Sequence, residues 1–92
     1  MKSIMQDEKV CFLTGSTVCL DKHHVYHGSR RKAADEWGCW VWLRHDVHMD
    51  LHERNTAADR MLKGLCQRRF EELHGHDKFM QVFGKNYLME EE

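Results

Sequence analysis

Imidazole is the reactive group this chain carries in excess. Eight of its 92 residues are histidine, and His23, His24, His27, His45, His48 and His52 crowd into its first half and middle. A neutral imidazole ligates divalent metals, and near pH 7 it also takes up and releases protons. Two stretches arrange these rings usefully. In "LDKHHVYHG", residues 20–28, His23 and His24 are adjacent. On a strand, neighbours point to opposite faces, so the two rings are not expected to share one task. In "HDVHMDLH", residues 45–52, His48 and His52 stand four apart. On a helix that spacing puts both on one face, with Cβ atoms about 5–6 Å apart, within reach of one metal ion. Asp46 and Asp50 share the segment and offer an oxygen ligand or a partner for an imidazole, besides the plainer roles of helix cap and solvated surface.

The elements that must hold these rings follow from local pattern. "VCFLTGS", residues 10–16, reads as a short strand ending in a turn, and residues 18–26 read as a second extended piece. In "SRRKAADEWG", Ser29 is placed to cap a helix and Gly38 to end it. "CWVWL" is β-branched and aromatic, which predicts a strand. The period then changes over residues 45–53. Asn55 or Thr56 starts a long helix whose apolar residues Ala58, Met61, Leu62, Leu65, Cys66, Phe70 and Leu73 recur at helical spacing, and Gly75 ends it. A last short helix places Phe79, Met80, Val82 and Phe83 inward before Gly84. Trp37, Trp40 and Trp42 are expected mostly in the core, with Trp40 and Trp42 on one strand face and Val41 on the other.

Composition bounds the class. A hydrophobic share of 41% and a charged share of 32% describe a globular protein with a modest core, one that a bound metal or a partner would help. The sequence shows no apolar run long enough to span a membrane and no export signal, so the expected location is cytoplasmic. Cys11, Cys19, Cys39 and Cys66 form no close pair and are expected as reduced thiols. Net charge is −1, yet Lys22, Arg30, Arg31 and Lys32 have no acidic residue between them, a local patch suited to phosphate.

The order of a strand with His-His, a loop, a second strand and a helix bearing HxxxH resembles the ββα-metal finger of the HNH, or His-Me finger, endonucleases. The small phage-encoded members are the most similar. The resemblance rests on "LDKHHVYHGSRRK", "WVWL", "HMDLH" and "HDKFMQVFGKNYL" and extends over nearly the whole chain. It implies an α+β fold for one domain over residues 1–92, with a ββα-metal core over 11–54 and a helical extension over 55–92. It also implies a cytoplasmic setting in a bacterial host and hydrolysis of DNA phosphodiester bonds on one divalent ion, whether Zn, Mn, Ni or Mg. By this resemblance His23, His48 and His52 match metal ligands and His24 the general base. An imidazole with an ordinary pKa near 6.5 suits deprotonation of water at neutral pH, and a ring bound to metal cannot do it. Arg30, Arg31, Lys32 and Arg44 would contact the DNA backbone. His27 and His45 are expected at the periphery. The apolar tail helix would offer a homodimer face.

Two departures stand out. The asparagine that steadies the base loop in the family has no counterpart, since the asparagines here are Asn55 and Asn86. The cysteine knuckle that many relatives carry is also missing, and hydrophobic packing is expected in its place. Two other classes stay open beside the nuclease: a non-catalytic binding module stapled by metal, and a small helical protein with surface histidines and no metal.

Overall fold

The computed structural model describes residues 1–88; the last four residues of the expected C-terminal extension lie outside the described residues. The fold is a small α+β arrangement. Strand β1 (Leu20–His24) pairs antiparallel with β2 (Trp40–Arg44), in a register that sets His24 opposite Trp40, His23 opposite Val41 and Leu20 opposite Arg44. Helix α1 (Arg31–Glu36) lies in the connection between them. Helix α2 (His45–Glu53) follows β2 directly, then come α3 (Thr56–His74) and α4 (His76–Phe83).

Alternation along the hairpin sorts its side chains. Asp21 and His23 share a face with Val41 and Leu43, and both of the latter are fully buried. Lys22 and His24 share the other face with Trp40 and Trp42, where the Lys22 ammonium sits 4.4 Å from the Trp40 ring. The core gathers Val25, Tyr26, Val41, Leu43, Leu51, Leu62, Cys66, Phe70, Phe79 and Phe83. Phe79 and Phe83 pack on Tyr26, with ring centroids 5.6 and 4.7 Å away. These two rings are therefore inside the chain's own core and are not free to form the dimer face expected for the tail helix.

Several local expectations are corrected. Residues 10–16 form a turn and not a strand. The Cys11 N–H bonds the Ser16 carbonyl and the Gly15 N–H bonds the Cys11 carbonyl, so the segment satisfies itself; only the Phe12 N–H reaches β2, at the Trp42 carbonyl. Ser29 does not cap α1: a 3-10 turn over Gly28–Arg30 leads into the helix and no side chain caps it. Asn55, as expected, caps α3, its Oδ1 accepting the Ala58 N–H at 3.0 Å. On α3, Leu62, Cys66 and Phe70 point inward, but Met61, Leu65 and Leu73 are exposed. Its apolar core stripe is narrower than the apolar pattern, and polar Gln67 is fully buried beside it. There Gln67 is satisfied by Glu71, Asn86 and the Tyr87 N–H, which clamps the segment after α4. All four cysteines are free, and Cys11, Cys39 and Cys66 are packed in the core.

The N-terminal segment covers the open edge of β2. Ser3 Oγ donates to the Trp40 carbonyl, the Trp42 N–H donates to Gln6 Oε1, and the Ile4 N–H donates to the Gly38 carbonyl. Gly38 makes this approach possible. Its φ is +74°, and a Cβ there would collide with the Lys2 carbonyl and press on Ile4. Gly38→Ala is therefore expected to cost about 2 kcal/mol, from the left-handed backbone and the displaced strap together; urea denaturation reads it directly.

Candidate metal centre

Helix α2 is held against β1 where the histidines meet. The His45 N–H donates to the carbonyl of Cys19, just before β1. Asp21 of β1 then accepts from two rings of α2, His45 Nδ1 at 2.8 Å and His48 Nδ1 at 3.0 Å. The His48 and His45 hydrogen bonds hold the Asp21 carboxyl below its usual range, so it is an acceptor only. His48 must then carry its proton on Nδ1, which leaves Nε2 with a lone pair. That atom lies 3.1 Å from His52 Nε2.

His23 faces this pair from the strand. It is 1% exposed, and its Nε2 is buried with no hydrogen-bond partner among the described residues. Burial above all, followed by the neighbouring His27, His48 and His52, pushes its pKa down to about 3. The ring stays neutral at any ordinary pH, with a free donor aimed into a cluster of imidazoles. An orphaned buried polar atom costs about 1–3 kcal/mol unless something satisfies it. The ligand atoms of His23, His48 and His52 lie within 4.8 Å of one another. Three imidazoles converging on one point fit a divalent cation of the zinc or nickel type. Burial and the nearby His48 and His27 rings also lower the His52 pKa, which favours the neutral, ligating form of the ring.

His24 lies outside this set, as the opposite-face argument requires. Its Nε2 is 3.0 Å from Asp35 Oδ1, and its Nδ1 is 3.4 Å from Arg31 Nε. Hydrogen bonds from Lys22 and then His24 pull Asp35 down to about 2, so the carboxylate accepts and His24 donates from Nε2. The lone pair left on Nδ1 accepts the Arg31 Nε–H at 3.4 Å. One cavity of about 250 Å³ is lined by Lys22, His23, His24, His27, Arg31, His48 and His52. His24 and Arg31 also line a neighbouring cavity with Gly28, Lys32, Asp35 and Glu36. His24 thus stands between the imidazole cluster and a charged groove that holds Arg31 and Lys32 beside Asp35 and Glu36.

The structure sorts the other expected residues. Arg31 and Lys32 border the site. Arg30 does not point there: its Nε donates to the Phe83 carbonyl at 2.8 Å, capping the C-terminus of α4. Arg44 sits at the far end of the hairpin from His24 and pairs with Asp46 at 2.9 Å. Asp46 also accepts from the Val47 N–H, so it serves its own helix. His27 is not peripheral; its ring lies 5.3 Å from His23 and 5.4 Å from His52, and its Nε2 is 3.1 Å from Asp59 Oδ1. Asp21, Asp35 and Asp59 were missed by sequence reasoning, because each reaches the histidines across the tertiary fold. Only Asp21 carried a signal, since alternation puts it on the His23 side of β1.

Asp21 matters through His48. Asp21→Asn removes the carboxylate that fixes the tautomer, and is expected to weaken metal binding about 10–100-fold. Calorimetric titration with Ni²⁺ or Zn²⁺ checks this, and unchanged affinity would separate Asp21 from the centre.

Comparison with known proteins identifies no relative: no protein-family model, curated protein or solved structure matches this chain.

Proposed function

We propose that this chain is a metal-dependent nuclease of the HNH, or His-Me finger, type that hydrolyses DNA phosphodiester bonds with His24 as general base. One observation carries the reading. The buried, unpartnered Nε2 of His23 faces His48 and His52, while the adjacent His24 is held apart on Asp35 with its Nδ1 unprotonated. The doublet divides ligand from base in the way such hydrolysis needs.

His23, His48 and His52 would hold the cation, which supplies positive charge at the scissile phosphate and at the departing 3′ oxygen. Three protein ligands leave coordination positions for phosphate and water. With the attacking water taking the place of Arg31 Nε at its Nδ1, His24 would accept the water proton, and Asp35 would stabilise the imidazolium that results. Arg31 and Lys32, with Lys22 on the same strand as His24, line the groove where a phosphate backbone would run. These contacts carry no sequence information, so cleavage is expected to be weakly sequence-dependent and strongly weakened by salt.

The deciding assay incubates supercoiled plasmid with the protein and Mg²⁺, Mn²⁺, Ni²⁺ or Zn²⁺. Nicked or linear DNA with at least one ion, and none in chelator, is the expected result. A plasmid left intact by all four, with an ion demonstrably bound, would instead assign the centre as a metal staple in a binding module.

A further inference from the structure

His23 is the common member of two ligand groups. A ring nitrogen of His23 lies within 4.8 Å of ligand atoms of His48 and His52, and a ring nitrogen of His23 also lies within 4.8 Å of ligand atoms of His27 and Asp59; the unpartnered one is Nε2. The two groups come from different elements. His48 and His52 are on α2, His27 follows β1, and Asp59 is in the first turn of α3. Ring centroids put His23 almost equally far from its neighbours, 5.3 Å from His27, 5.1 Å from His48 and 5.4 Å from His52.

We propose that the centre contains two mutually exclusive cation seats, and that the second, formed by His23, His27 and Asp59, takes divalent ions that prefer oxygen, Mn²⁺ above all. Exclusivity follows from His23. Its buried Nε2 has one lone pair and serves one ion at a time. Preference follows from the donors. The α2 seat has nitrogen donors alone and suits Zn²⁺ and Ni²⁺; the α3 seat replaces one nitrogen with a carboxylate oxygen, which suits Mn²⁺. Asp59 already sits beside His27: Oδ1 accepts from His27 Nε2 at 3.1 Å, and Oδ2 accepts from Lys63 Nζ at 2.9 Å, one turn along the helix. An ion in this seat replaces the proton between His27 and Asp59 and leaves the Lys63 contact to orient the carboxylate. The carboxylate is not an exposed acid gathered by chance, because the unpartnered, 1% exposed His23 points into the same cluster. The identity of the ion then decides which helix holds it, and with that whether His48 and His52 are free.

This inference rests on His23 as a metal ligand and not on nuclease activity, so its test reads binding alone. Mn²⁺ binding is followed by the EPR signal of the free ion, and Ni²⁺ binding by calorimetry, in the full chain. His48→Gln/His52→Gln is expected to keep Mn²⁺ and to lose Ni²⁺ affinity by more than about ten-fold, the scale set by partners of metal ligands. Adding Asp59→Asn to that variant should abolish the remaining Mn²⁺ site. In the otherwise unchanged chain, the near-isosteric Asp59→Asn should weaken Mn²⁺ about ten-fold and spare Ni²⁺; circular dichroism confirms that each variant is folded. Loss of Mn²⁺ from a folded His48→Gln/His52→Gln protein, or Mn²⁺ binding indifferent to Asp59→Asn, would overturn the second seat while leaving the first. Two ions bound at once would overturn exclusivity. An unaltered chain that binds no cation would overturn both seats together.

Discussion

His24→Ala is expected to bind its cation like the unaltered chain and to cleave plasmid about 10²–10⁴-fold more slowly, the range a positioned general base contributes. The separation of the two effects is the informative part. His24 is on the hairpin face opposite His23 and makes its contacts to Asp35 and Arg31, not to the imidazole cluster. Removing it takes away the proton acceptor and leaves the three ligand atoms where they are. Asp35→Ala should fall between the two, since it leaves the base present but without the carboxylate that fixes its tautomer. On the proposed reading Asp35 positions the base, and a slower rate with a shifted pH profile would distinguish that role from simple unfolding. Full cleavage by His24→Ala would sink the assignment of the base, whatever metal the protein holds.

Acid is expected to destabilise the metal-free protein through His23. Its folded-state pKa is pushed from 6.5 down to about 3, by burial first and then by the surrounding rings. Between those values the unfolded chain carries a proton on this residue and the folded one does not. Stability therefore rises with pH in that window and is lost as pH falls through it, with a slope near 1.4 kcal/mol per unit for a single group. From pH 6.5 to about pH 4.5 the loss from His23 alone is roughly 2–3 kcal/mol. Carboxylates such as Asp21 and Asp35, held low by their partners, add losses of the same sign nearer their own ordinary range. The comparison that isolates His23 is His23→Leu, with both proteins stripped of metal and unfolded in urea across this window. The variant should show a shallower slope and, near neutral pH, stability equal to or above the original, because it removes an unsatisfied buried nitrogen. It should also gain nothing from added Ni²⁺, which would stabilise the original chain by mass action. Equal slopes would show that burial of this ring is not what makes the fold acid-sensitive. The residue thus costs stability without an ion, which is the expected signature of a side chain retained for binding.

The sequence by itself determined whatever depends on period and local pattern. Alternation separates His23 from His24, and a four-residue spacing unites His48 with His52 once α2 is helical. The glycines at 75 and 84 and the asparagine at 55 mark the helix ends that the fold shows. Local pattern failed where two bonding schemes competed. Residues 10–16 look like a strand by composition, but their N–H groups close a turn on themselves. Met61, Leu65 and Leu73 look like core by spacing, yet the neighbours of α3 cover a narrower stripe.

Only the tertiary structure decided what surrounds each imidazole. Asp35 is 11 residues from His24, and Asp59 is 32 from His27, so no local rule links them. The fold shows what holds His24: a carboxylate on α1, itself fixed by Lys22 at 2.7 Å. It likewise draws His27 into the cluster and turns Arg30 away from it. A carboxylate is recognisable in a sequence as an acceptor, but which proton it accepts depends on distances of about 3 Å. Those distances are set by packing between elements, and packing is what a single sequence leaves unstated.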